Sequence, residues 1–277
     1  MSLNLLEEEL VDLAERLSDH DIDLIVGGGM GLYLWETRVE RRRAPNYPES
    51  GISRSTGDLD LILSGKVIIR RKEVEALRDA IGAMGYEVNP DAKYFQFQKK
   101  VEGRGEIKID LLAAPPVDDD NVKVSSSRVR PHQTSEIHGR LTPEAAHVDF
   151  RPVSVQLDKA TVFLPSAFNF VNLKLHAFRD RHDDSDKELG RHHALDIFRI
   201  IAAMGLQDWE TAEAHREQHH DADYLEESRR IRATFFESRT SLGMVRLQEH
   251  PDFKANRDEF LDSLETFITD LEELLEG

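Results

Sequence analysis

The chain has 277 residues, 36 of them basic and 53 acidic, for a formal net charge of −17. That balance repels polyanions at long range and argues against a protein that coats DNA or RNA, while the absence of cysteine excludes disulfides, thiolate zinc sites and cysteine nucleophiles. Met1–Glu9 shows no basic-then-apolar leader, and no apolar run approaches the roughly 20 residues of a membrane helix; the expectation is a soluble, cytoplasmic protein with no membrane partner.

In chain order, Leu5, Leu6, Leu10, Leu13, Ala14 and Leu17 recur at helical spacing, so 4–19 reads as an amphipathic helix. Residues 21–26 turn short and apolar, a strand running into Gly27-Gly28-Gly29, and helix resumes over 30–41. The polar stretch 42–57, with Pro45, Pro48, Gly51 and Gly57, reads as a surface loop or insertion. L-D-L-I-L at 59–63 is a strand, 72–84 a helix, and 94–100 a strand of alternating aromatic and polar residues. E-I-K-I-D-L-L at 106–112 alternates cleanly, which puts Lys108 and Asp110 on one face and Ile107, Ile109 and Leu111 on the other.

Residues 115–143, acidic and then serine-rich, read as one long connection. A short strand over 161–164 stops at Pro165. Helices are expected thereafter over 166–180, 187–204, 208–218, 223–237 and 256–276. The fold expected is α+β (α/β), a small mixed β-sheet core flanked by helices and followed by a C-terminal helical domain, with domains at 1–165 and 166–277.

The chemistry is concentrated around Asp58 and Asp60. Two apart on a strand, their side chains share a face, and Asp110 lies on the polar face of another strand. Three gathered carboxylates repel unless a cation neutralises them. Hard oxygen ligands of this kind suit Mg²⁺, which binds one or two carboxylates together with substrate phosphates. Two such ions can clamp the entering and leaving oxygens of an in-line phosphoryl displacement. Gly27 and Gly28 follow a strand and open a helix, where backbone amides can approach phosphate. Arg54 and Thr56, just before the acids, offer a guanidinium and a hydroxyl to phosphate oxygens.

Taken together, V-G-G-x-x-x-L, R-S-T-G-D-L-D-L and I-K-I-D-L-L resemble the motifs of the DNA polymerase β-like nucleotidyltransferase superfamily. The likeness extends to its AbiEii branch, the toxins of bacterial toxin–antitoxin systems. Members of that branch carry a later helix with a lysine and an arginine, followed by an Asp-bearing helix. Here N-L-K-L-H-A-F-R-D-R supplies Lys174 and Arg179, and H-H-A-L-D-I-F-R-I-I supplies Asp196. Gly29 stands where the family usually places Ser or Thr, which leaves phosphate to the backbone amides there.

The resemblance implies Mg²⁺, as one ion or two, held by Asp58, Asp60 and Asp110. It also implies an NTP held by Gly27, Gly28, Arg54, Thr56 and Lys174, and transfer of NMP to an acceptor hydroxyl on tRNA, protein or a small molecule of aminoglycoside type. An antitoxin partner is a further implication; the alternative reading is a catalytically silent nucleotide-binding or interaction protein on the same fold. Plainer roles compete at single residues. Asp196 suits a helix–helix ion pair, Arg41–Arg43 a solvated face, and His215, His219, His220, His192 and His193 exposed polar helix faces.

Overall fold

The computed structural model describes residues 3–39, 47, 57–92, 94–103, 105–116, 122–125, 127–131, 136–158 and 160–277. They form two compact units, one of Met1–Val39 with Ser53–Pro165 and one of Glu40–Ile52 with Ser166–Gly277. No helix among the described residues is long and apolar enough to cross a membrane.

In the first unit, α1 (Leu3–Leu17) buries Leu6, Leu10, Leu13 and Leu17, spaced three or four apart, against α4 (Arg71–Ala83), β2 (Asp58–Leu63) and β10 (Ala160–Leu164). Helix α4 answers with Val74, Leu77 and Ile81. Between them come β1 (Ile25–Val26), α2 (Gly28–Arg38), β2 (Asp58–Leu63) and α3 (Gly65–Ile68), whose start is capped by Ser64 accepting from the Val67 amide. The remaining strands are β3 (Glu87–Val88), β4 (Gln96–Val101), β5 (Gly105–Ala113), β6 (Lys123–Ser125), β7 (Arg128–Arg130), β8 (Gly139–Leu141), β9 (Val153–Leu157) and β10 (Ala160–Leu164).

The sheet is mixed, in the order β6-β7-β8-β5-β2-β1-β10-β9, with β3 and β4 branching from β5. β2 and β5 run parallel along their whole shared length. The other edge of β5 is divided: β4 pairs with Gly105–Asp110 and β8 with Leu112 and Ala113. The fold is therefore α+β around one mixed sheet.

The helical unit contains α5 (Ala167–Arg179), α6 (Arg191–Ala203), α7 (Leu206–Gln218), α8 (Asp223–Phe235), α9 (Leu242–Glu249), α10 (Pro251–Ala255), α11 (Arg257–Leu261) and α12 (Leu264–Glu276). Phe198 sits at its aromatic centre, 5.2 Å from Phe260 and 5.3 Å from Phe267 between ring centroids. Tyr47 joins this unit, packing on Phe198 at 5.6 Å and donating to Asp270 Oδ2 at 2.6 Å.

Several expectations are corrected. The connection over 115–143 contains β6, β7 and β8, each three residues long. The expected helix over 256–276 is two, α11 and α12, parted at Asp262 and Ser263. The segment 187–204 begins as a 3₁₀ turn with Glu188, Leu189 and Gly190 at positive φ, and α6 starts only at Arg191. β9 and α9 are additional. His215 is fully buried and bonds the Tyr224 hydroxyl at 2.6 Å. His192 and His193 are half-buried rather than exposed.

Candidate functional site

The acids sit where the alternation of β2 and β5 puts them. Leu59, Leu61, Ile109 and Leu111 are fully buried on one face. On the other, the parallel register sets Asp60 beside Asp110 and Asp58 beside Lys108. β4 extends both rows, placing Gln96 beside Asp110 and Gln98 beside Lys108. Neighbours in register share a face, so Asp58, Asp60, Lys108, Asp110, Gln96 and Gln98 form one polar surface.

The Asp110 carboxyl is perturbed by its surroundings. Burial pushes its pKa up, and the nearby Asp58 carboxylate adds to the rise. Opposing them, the Gln96 amide donates to Asp110 Oδ1 at 2.6 Å, and Lys108 and Arg140 contribute positive charge. Gln96 is itself held by Asn89, which bonds its side-chain oxygen. Neither Gln96 nor Arg140 is marked by a motif; each reaches Asp110 only through strand pairing.

The glycine turn abuts Asp60. The Gly27 amide donates to the Asp60 carbonyl at 2.8 Å. Gly28 has φ +59, and a Cβ there would stand 1.7 Å from Asp60 Oδ2. Glycine is thus required twice at this position, by the left-handed backbone and by the carboxylate lying against it. No side chain caps the first turn of α2, which begins at Gly28. The positive end of the helix dipole therefore faces the Asp60 carboxylate.

Arg54 and Thr56 lie outside the described residues. Lys174 belongs to the helical unit, where it is 7% exposed and its Nζ lies 2.6 Å from Asp196 Oδ2. Arg179 pairs with Asp180 and Glu227.

Among the described residues, no three His, Asp or Glu side chains are gathered closely enough to hold a metal ion. The donor set nonetheless suits a hard cation. Asp110 is a carboxylate whose charge burial and Asp58 both oppose, and a cation shared with its neighbours would relieve that opposition.

No protein-family profile and no curated protein matches the sequence. Among solved structures, the chain is similar to a solution structure of the antibiotic-resistance factor ANT(2'')-Ia. The two are 15% identical with a TM-score of 0.40, over 79% of this chain and 98% of the other.

Proposed function

We propose that this protein is a metal-dependent nucleotidyltransferase of AbiEii type, transferring NMP from an NTP to an acceptor hydroxyl. The observation that carries the reading is the register of β2 and β5. Two motifs 50 residues apart in sequence, D-L-D and I-K-I-D, meet with Asp60 beside Asp110 and the Gly27-Gly28 turn against Asp60.

In this reading Asp58 and Asp60 hold Mg²⁺, with Asp110 as a further ligand for a second ion. The bound cation supplies charge neutralisation at the α-phosphate and on the leaving pyrophosphate. The backbone amides that open α2 hold phosphate oxygens, with Arg54 and Thr56 as further donors. Asp110 takes the proton of the acceptor hydroxyl, while Gln96 orients the carboxylate through Oδ1. The acceptor oxygen bonds to the α-phosphorus, the bond from that phosphorus to the bridging oxygen breaks, and pyrophosphate leaves. Lys174, the remaining expected nucleotide ligand, is held by Asp196 within the helical unit. The catalytic residues fall within 1–165, and 166–277 is the helical domain.

The test is incubation of the purified chain with each labelled NTP, Mg²⁺ and a cell extract. Label should enter an acceptor, with pyrophosphate released. Asp58→Asn with Asp60→Asn should reduce labelling by about a thousandfold or more, since losing even one preorganised charge-stabilising group costs about 10²–10³. Its melting curve should remain that of a folded protein. Unchanged labelling in the double variant would refute the assignment.

A further inference from the structure

The strands hidden in the 115–143 connection carry a second chemistry. β8 pairs with the end of β5 so that Arg140 stands beside Leu112, two residues past Asp110 and on the same face. β7 sets Arg128 beside Arg140, and β6 sets Lys123 beside Arg130. Lys123, Arg128, Arg130 and Arg140 therefore line the face that holds Asp58, Asp60 and Asp110. The row runs outward over three strand pairings, roughly 14 Å at about 4.8 Å each.

These cations are unlike most others in the protein. Among the described residues, Lys123, Arg130 and Arg140 form no ion pair, although Arg140 lends charge to Asp110, and Arg130 Nε is buried without a hydrogen-bond acceptor. Arg128 meets the His138 ring, Nη1 to Nδ1 at 3.2 Å. A buried donor left unsatisfied is costly unless a ligand completes it. Tyr94 borders the row: it is 44% exposed, its φ is +74, and its ring lies 5.2 Å from that of His138. An exposed aromatic beside a track of cations is the arrangement that stacks a base while phosphates are held. A single triphosphate would occupy only part of so long a row and would leave Tyr94 unused. A cationic acceptor would be repelled.

We propose that the β6-β7-β8 face with Tyr94 binds a single-stranded polynucleotide and delivers its terminal hydroxyl to the Asp58–Asp60–Asp110 centre. The delivery step rests on the nucleotidyltransferase reading; the binding track does not. The net charge of −17 does not oppose it at close range, because at about 0.15 M salt charges beyond roughly 8 Å are screened.

The test is fluorescence anisotropy of a labelled 12-nucleotide single-stranded RNA with the full chain, across a potassium chloride series. Arg130→Gln with Arg140→Gln should weaken binding at least tenfold. It should also flatten the salt dependence by about 1.4 in log–log slope, at about 0.7 per lost phosphate contact on a single strand. Tyr94→Ala should weaken binding about fivefold or more. Lys254→Gln with Arg257→Gln, on the helical unit, should change nothing. Arg140 is exposed, so Arg140→Gln alone remains a fair test if the double variant fails to fold.

Equal RNA binding by the variants and the parent would overturn the proposal. So would equal competition by polyglutamate of matched charge, or loss of Mg-ATP binding in place of RNA binding. If RNA binding responds as expected but the parent transfers no nucleotide, the track stands and the catalytic reading falls.

Discussion

The helical unit and the polar sheet face of the first unit arrange their charges differently. In the helical unit, opposite charges are matched: Lys174 to Asp196 at 2.6 Å, Arg199 to Asp252 at 2.9 Å, and Arg232 to Glu272 and Glu276 at 3.3 and 3.4 Å. On the sheet face, like charges are grouped. Asp110 neighbours Asp58 and is held by a neutral amide, while Arg130 and Arg140 stand among cations. Matched pairs hold helices together and leave little for a ligand. Grouped charges are unfavourable until something of opposite sign arrives, which is a reason to look for function on the sheet.

The largest effect that could break this contrast lies at Lys174. Its side chain and that of Asp196 are 9% and 14% exposed. Lys174→Met should strand a buried carboxylate and cost about 3–5 kcal/mol, read as a loss of roughly 10 °C in melting temperature. Lys174→Met with Asp196→Leu should recover most of that loss, because two apolar side chains then replace the charged pair. Recovered stability with recovered nucleotidyl transfer would make the pair purely structural. Recovered stability without transfer would show that the charged pair has a role beyond holding the helices. A small loss in the single variant would mean the pair is not the anchor its burial implies.

How much of this was legible in the sequence follows from the range over which each signal acts. β5 was visible because seven residues alternate between buried Ile107, Ile109 and Leu111 and half-buried Lys108 and Asp110. The D-L-D pair and the glycine turn were visible for the same local reason. β6, β7 and β8 were not, since three residues such as Arg128–Arg130 hold only one buried position, Val129, and no period can be read from one. The break between α11 and α12 was also hidden. No proline or glycine marks Asp262 and Ser263; there the Ser263 hydroxyl bonds the Phe260 carbonyl at 2.8 Å. Gln96 and Arg140 escaped notice because their relation to Asp110 exists only in the pairing of β4, β5 and β8. Burial of His215 depends likewise on Tyr224 from another helix.

A second, smaller effect separates backbone strain from displacement of Asp60. Gly28 and Gly85 both have positive φ, +59 and +82, but only Gly28 faces a carboxylate; a Cβ on Gly85 would meet nothing within 4 Å. Alanine at either should cost about 1–2 kcal/mol for the left-handed conformation. Gly28→Ala should in addition lower transfer by about a hundredfold, the scale expected when a catalytic group moves by about 1 Å. Gly85→Ala should leave the rate unchanged. Equal rates in the two variants would remove Asp60 from the reacting centre.

The smallest effect concerns pH and tests whether the helical unit is as well matched as its ion pairs imply. His250 is buried, and its Nδ1 accepts from the Asp252 amide at 3.1 Å. Its proton therefore sits on Nε2, which donates to His192 Nδ1 at 2.8 Å. A second proton would have to displace the Asp252 amide, so burial first, and then the neighbouring His192 ring and the Arg199 charge, push the His250 pKa down to about 4, while Asp252 and Asp196 oppose the shift. The unfolded chain, with an ordinary histidine near 6.5, binds more protons between the two values. Stability from this group is thus full above about pH 6.5 and is lost as pH falls towards 4. Denaturation followed through Trp209 of α7, in a Trp35→Phe background, should show the parent losing a few degrees more than His250→Asn across that interval. Asparagine keeps an acceptor for the Asp252 amide without a titrating ring, so parallel pH curves for the two proteins would place the acid sensitivity elsewhere in the unit.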